Sequence, residues 1–171
     1  MADRVTTTLA FETAFGTIGV TATNDGVCRV QLRGSAVPRE EACSAAAAAH
    51  AHEAVAQLGE YLGGTRRAFE LPLDWRGLGE RHRRVLEALC EAAPFGRTVT
   101  YGELARRSGE DDPREIGIMM ARNPLPLVVP CHRVVASDGL GGYGGGIELK
   151  RRLLELENVL PLSFPLAGPI V

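Results

Sequence analysis

The sequence predicts an α+β protein, with a small antiparallel sheet and one helix followed by a helical unit that carries a helix-turn-helix element. Three observations predict it. Residues 5–34 are rich in β-branched and aromatic residues and are broken by glycine turns. Residues 38–64 form an alanine-dominated run with a glycine stop. Beyond Trp75 the apolar residues recur at helical spacing and are preceded by capping signals. The linker RGLGE divides an N-terminal α+β domain, 1–76, from a C-terminal domain, 77–171.

In order along the chain, VTTTLAFETAFGTIGVTATNDGVCRVQLRG reads as two or three antiparallel strands, with Asp25-Gly26 as the hairpin signal. PREEACSAAAAAHAHEAVAQLGEYLGG reads as one helix, with Glu40 and Glu41 in its first turn and Gly63-Gly64 as its end. AFELPLDW (68–75) reads as a further strand. RHRRVLEALCEA spaces Val85, Leu86, Leu89 and Cys90 for a helix that stops before Pro94. TYGELARRSG opens with Thr100 and Glu103 as a capping box and closes on Gly109. DPREIGIMMARN repeats the device with Asp112, Pro113 and Glu115. Two short helices across a tight turn make a helix-turn-helix candidate, although pattern alone favours an αα-hairpin in a helical core. IELKRRLLELENV predicts a last amphipathic helix, followed by an extended tail, LPLSFPLAGPIV.

Composition narrows the function classes. Hydrophobic residues at 45% and charged residues at 23% fit a soluble globular chain, and no apolar run approaches the roughly 20 residues of a membrane span. The start, MADRVTTTLAF, lacks a secretory signal, which predicts a cytoplasmic protein. Cys28, Cys43, Cys90 and Cys131 form no CxxC pair and are expected as free thiols. A net charge of −2 does not announce a polyanion binder, although Lys150 is the only lysine among many arginines.

Three chemistries compete at VVPCHRVVASDGLGGYGGG (128–146). A metal centre is disfavoured, because His50 and His52 point to different helix faces and Cys131-His132 has no third ligand at zinc-site spacing. The glycines match neither a Walker A nor a dinucleotide fingerprint. A lone cysteine is most often a small buried hydrophobe. Pro130 before Cys131 and His132 after it favour a nucleophile, since the thiolate is the reactive form.

The blocks TVTYGELA, PREIG…ARNP, PCHRV, GYGGG and KRRLLELE resemble the 6-O-alkylguanine-DNA alkyltransferases, the methylated-DNA–protein-cysteine methyltransferases. They occur in that family's order and near-spacing over residues 81–157. The N-terminal half is similar to the family's ribonuclease-H-like domain in pattern, and the C-terminal half to its winged-helix DNA-binding domain. The resemblance implies that Cys131 accepts the alkyl group from the guanine 6-oxygen, acting once per molecule. It makes His132 the base that draws off the thiol proton through a water, and Glu157 the carboxylate that holds His132. Tyr101 would give a hydrogen bond to guanine N3. Arg114 would fill the gap left by the extruded nucleotide, and Asn123 would hinge the recognition helix to the active-site segment. Arg133 is grouped with Arg114 and Asn123 as a DNA-binding residue. Tyr143 would cover the base, the Gly144 N–H would lie near the guanine oxygen, and the Cys131 and Val134 carbonyls would accept its amino hydrogens. No metal and no cofactor are implied, because the protein itself is the acceptor. The implied partner is double-stranded DNA containing alkylated guanine, met by a monomer away from membranes.

The chain departs from the family pattern in places. The stretch from Cys131 to Tyr143 is one residue shorter than usual, and Glu115 follows the finger arginine where a small apolar residue is common. Arg81 replaces an aromatic, and Leu86 a tryptophan. Three rival readings compete. One is an alkyltransferase-like lesion binder, which Cys131 argues against because those proteins replace the acceptor cysteine. The others are a self-alkylating regulator and a Cys-His hydrolase.

Overall fold

The computed structural model describes residues 5–32, the backbone of 40–41, and residues 44–162. Strands β1 (Thr6–Thr13), β2 (Gly16–Thr23) and β3 (Gly26–Leu32) form an antiparallel meander, and β4 (Glu40–Glu41) adds to the free edge of β1. The sheet order is β3-β2-β1-β4. The β2–β3 loop is Asn24-Asp25, and Gly26 opens β3 with φ +142°. A Cβ there would lie 2.3 Å from the Pro72 carbonyl oxygen, so glycine is needed for close approach as well as for the turn. Residues 72–74 run beside β3 through Val27 N–H to Pro72 O and Asp74 N–H to Val27 O. They make only an isolated bridge at Leu73, so the strand expected over 68–75 does not form.

Helix α1 (Ala45–Leu62) begins at Ser44, whose hydroxyl accepts from Ala47 N–H, and ends at Gly63. The acids expected in its first turn, Glu40 and Glu41, lie instead in β4. Pro38, Arg39, Ala42, Cys43 and the tail from Ser163 lie outside the described residues. Ala47, Ala51, Ala54, Leu58 and Tyr61 make one buried stripe. Its small alanines let α1 lie close against Ile18, Val20 and Val27 of the sheet.

The second half comprises α2 (Glu80–Ala92), β5 (Val99–Thr100), α3 (Tyr101–Ser108), α4 (Pro113–Ala121), a 3-10 turn (Cys131–Arg133), β6 (Val134–Val135) and α5 (Ile147–Leu156). The two expected capping boxes form by half. Thr100 accepts from Glu103 N–H and Asp112 from Arg114 N–H, but Glu103 pairs with Arg107 and Glu115 with Arg81 instead of reaching back. Gly109, at φ +74°, turns the chain between α3 and α4. β5 and β6, which local pattern does not announce, pair in parallel through Val99–Val134 and Thr100–Val135. That pairing sets the start of α3, with Tyr101, beside the Cys131 segment. Together these elements make a mixed α/β fold with a small antiparallel sheet and packed helices. No described helix is long and apolar enough to cross a membrane.

Candidate active site

The segment carrying Cys131 is built from short-range constraints. Asn123, just beyond α4, donates its amide to Val129 O at 2.9 Å and accepts from Leu125 N–H at 2.9 Å. Val30 N–H of β3 bonds to Pro124 O at 2.8 Å, tying this hinge to the sheet. Leu127 takes φ +73°, a costly conformation for a bulky residue that turns the chain back toward Pro130. Cys131 N–H then bonds to Val129 O, and the 3-10 turn aims Cys131 and His132 inward.

Cys131 is 6% exposed, yet two cavities of about 220 and 270 Å³ reach it. Met120, Ala121, Tyr143 and Gly144 line both. Asn123 lines the first, and Tyr101 and Gly142 line the second. A larger groove, about 540 Å³, opens near Asp25, Trp75 and Arg83, but no thiol or imidazole lines it. Burial pushes the Cys131 thiol up, partly opposed by Asn123, Lys150 and Tyr143. At neutral pH it therefore rests as the thiol and needs a base to become nucleophilic.

That base is adjacent in sequence. His132 is fully buried, and its Nε2 lies 2.8 Å from Glu157 Oε1. A carboxylate only accepts, so Nε2 carries the hydrogen and Nδ1 keeps its lone pair. Nδ1 is buried with no hydrogen-bond partner among the described residues. Burial holds the His132 pKa below its ordinary value, against the pull of Glu157. Burial works to raise Glu157, but hydrogen bonds from His132 and Arg133 outweigh it and bring the carboxyl to about 2. Glu157 caps the C-terminal end of α5, and Asn158 at φ +58° ends the helix there.

Arg133, expected as a DNA contact, is turned inward. It is 6% exposed, with Nε 2.9 Å from Glu157 Oε2, Nη2 2.9 Å from Oε1 and Nη1 2.8 Å from Ala93 O. Its fork is committed to a buried carboxylate, which takes it away from the surface. Arg114, in contrast, is 91% exposed at the start of α4. The Tyr101 hydroxyl lies 3.4 Å from Gly142 O, a weak bond that leaves it available to a ligand. Tyr143 is half-buried and packs against the core, with its hydroxyl beside Cys131 and without a hydrogen-bond partner among the described residues. Burial and the neighbouring thiol raise its pKa. The Cys131 carbonyl accepts from Val134 N–H and the Val134 carbonyl from Lys150 Nζ at 2.6 Å. A Cβ on Gly144 meets nothing within 4 Å.

Two site residues escape sequence reasoning. Lys150 is fully buried, and its Nζ joins Val134 O to Gly142 O at 3.0 Å, tying β6 to the tyrosine loop. Burial brings it down to about 8. Tyr61, from α1, reaches the same centre and donates its hydroxyl to Glu157 Oε1 at 2.5 Å. A tyrosine completing an otherwise alanine and leucine stripe was the available signal, since a buried phenol requires a partner. No group of three or more His, Cys, Asp or Glu residues suited to a metal ion occurs among the described residues.

Comparison with known proteins sets this geometry in a family. The sequence model of the 6-O-methylguanine DNA methyltransferase DNA-binding domain matches residues 80–159. The crystal structure of Mycobacterium tuberculosis OGT in complex with DNA superposes with a TM-score of 0.74 at 32% identity, over 88% of this chain and 91% of that one. That of the M. tuberculosis O6-methylguanine methyltransferase gives 0.73 at 30% identity, over 93% and 96%. The chain belongs to the 6-O-methylguanine DNA methyltransferase family. Among methyltransferase relatives, a methylated-DNA–protein-cysteine methyltransferase of Methanothermobacter thermautotrophicus is 50% identical over 101 residues, 58% of this chain and 56% of that protein. One from Mycolicibacterium paratuberculosis is 46% identical over 107 residues, 61% and 64%. The matched stretch thus spans less than two thirds of either methyltransferase.

Proposed function

We propose that this methyltransferase-family chain is a DNA repair protein that moves a methyl or other alkyl group from the guanine 6-oxygen in duplex DNA to Cys131. Each molecule acts once, as a monomer. One observation carries the reading: a thiol at the meeting of two cavities, beside a buried imidazole whose Nε2 is spent on Glu157 and whose Nδ1 is free. His132 takes the thiol proton, relayed by a water, at Nδ1. The sulfur attacks the alkyl carbon, an S–C bond forms as the C–O bond breaks, and the electron pair leaves on guanine. Tyr101 donates to guanine N3 and disperses that charge. Among the described residues no group beside the thioether could cleave it.

The target oxygen lies within the stacked duplex, so the nucleotide must be extruded, at a cost of a few kcal/mol. Arg114, exposed at the head of α4, occupies the gap, and Asn123 couples α4 to the cysteine segment. The α3–α4 pair is the helix-turn-helix element of a winged-helix-like unit over 77–171. Residues 1–76 are read as a ribonuclease-H-like unit on the strength of the β3-β2-β1-β4 order with α1 against it. Tyr143 lies over the base, and Gly144 N–H faces the guanine oxygen.

Intact-protein mass spectrometry after incubation with a methylated oligonucleotide tests this. The expected result is a gain of one methyl on the peptide containing Cys131, abolished in Cys131→Ser while duplex binding persists. Binding without mass gain in the unaltered protein overturns the transfer reading and leaves a lesion binder.

A further inference from the structure

The centre that the proposed chemistry depends on is completed from the other half of the chain. Tyr61, on the last turn of α1, is fully buried. Its hydroxyl oxygen lies 2.5 Å from Glu157 Oε1 and 3.2 Å from His132 Nε2. Phe95 packs edge-on against its ring at 6.4 Å, and Phe69 tilts against it at 5.3 Å, which holds the phenol ring in place. The phenolic hydrogen is committed to the carboxylate, so the oxygen shows Nε2 only its lone pairs. Both neighbours of Nε2 are therefore acceptors. An imidazole in that setting keeps its hydrogen on Nε2 and leaves Nδ1 unprotonated.

We propose that Tyr61 is a positioning residue for Cys131 chemistry, holding Glu157 Oε1 against His132 Nε2 so that Nδ1 is the basic nitrogen. Arg133 engages both Glu157 oxygens, so Oε1 is shared among His132, Arg133 and Tyr61. Tyr61 adds a further donor to Oε1 and a second acceptor for Nε2–H. The other charges bearing on the imidazole are Arg133 and Lys150, both of which disfavour its protonation. The inference rests on the alkyl-transfer reading, and it makes α1 part of the reactive centre of the C-terminal half.

Tyr61→Phe keeps the ring and removes only the hydroxyl. Three readouts are compared with the unaltered protein. These are the single-turnover rate of methyl transfer at saturating duplex, the DNA-free rate of Cys131 carbamidomethylation by iodoacetamide across pH 5–9, and the ring ¹⁵N shifts of His132. The expected result is a fall of about tenfold in both rates, below the ~10²–10⁴ that the base itself contributes. DNA affinity stays unchanged, and the pH profile of thiol reactivity moves with the His132 shifts. A variant that melts lower but keeps the iodoacetamide profile and the His132 shifts overturns the proposal, because packing alone would do that. Should Tyr61→Phe not fold, the unaltered protein decides: ¹⁵N shifts showing hydrogen on Nδ1 overturn it, and hydrogen on Nε2 with a slowly exchanging Tyr61 hydroxyl proton supports it. A failure of methyl transfer in the unaltered protein sinks the repair reading, while the iodoacetamide and NMR arms still judge Tyr61.

Discussion

Arg133 and Glu157 meet as a buried fork, Nε on Oε2 and Nη2 on Oε1, both at 2.9 Å. The guanidinium also stands 5.9 Å from the Phe95 ring centroid. Its role follows from what surrounds it: it neutralises the carboxylate that orients His132. Removing one partner of such a pair strands a buried charge, at about 3–5 kcal/mol. Arg133→Ala is expected to lose stability on that scale in urea unfolding. Arg133→Lys should recover only part of it, because an ammonium cannot serve both oxygens at once. Neither change should alter the salt dependence of duplex binding, which a lost phosphate contact would reduce.

Acid should dismantle the same centre in two stages. His132 has a folded pKa below its ordinary 6.5, so as pH falls through 6.5 the unfolded chain takes a proton that the folded chain refuses. Glu157 is lowered from 4.5 to about 2, so its contribution is full above 4.5 and is lost between there and about 2. That second stage amounts to roughly 3 kcal/mol. Unfolding free energy measured from pH 8 to pH 3 should therefore decline from just above pH 6 and steepen below 4.5. Glu157→Gln should be less stable at neutral pH and should lose the steeper part.

Much of this centre is legible in the sequence where chemistry follows the local chain. Cys131, His132 and the Asn123 hinge lie within ten residues, and backbone hydrogen bonds inside that stretch set their placement. Two helix starts are legible for the same reason: Thr100 and Asp112 cap through their own neighbours, whereas the start of α1 at Ser44 is not announced by the local pattern. What local pattern misses is set by distant partners. Arg133 reads as a surface cation until Glu157, 24 residues on, is folded beneath it. Tyr61 is 96 residues from the carboxylate it holds. The strand expected at 68–75 fails because, among the described residues, it meets just a short length of β3. Glu115 looks like a cap until Arg81, 34 residues earlier, takes its side chain.

That last pairing explains two departures from the family pattern together. Arg81 binds Glu110, whose side chain is 5% exposed, through Nε at 3.0 Å and through Nη2, and it reaches Glu115 at 3.3 Å with Nη1. The acid next to the exposed Arg114 is thereby partly neutralised by the residue that replaces the usual aromatic. Glu115→Gln should tighten duplex binding about twofold to fivefold at low salt, with the gain fading at high salt. Arg81→Ala should weaken it by freeing the Glu115 charge, and the double variant should recover most of that loss. Fluorescence anisotropy at two salt concentrations reads all three.

Two glycines of the tyrosine loop should respond in opposite ways to alanine. Gly141 holds φ +69°, and a Cβ there would come within 2.9 Å of Tyr101 Cε2 and 3.2 Å of Ala136 N. The left-handed backbone alone costs an L side chain about 1–2 kcal/mol, and Ala136 N is backbone that cannot swing aside. Relief must come from moving the Tyr101 ring, the phenol read here as the donor to the departing guanine. Gly141→Ala is thus expected to slow methyl transfer more than it weakens duplex binding. Gly144 has open space where its Cβ would stand, and alanine retains the backbone N–H that the mechanism uses. Gly144→Ala should fold normally and transfer methyl at close to the unaltered rate, measured in the same single-turnover assay. Equal losses in the two variants would mean that loop flexibility, and not the seat of Tyr101, is what the glycines supply.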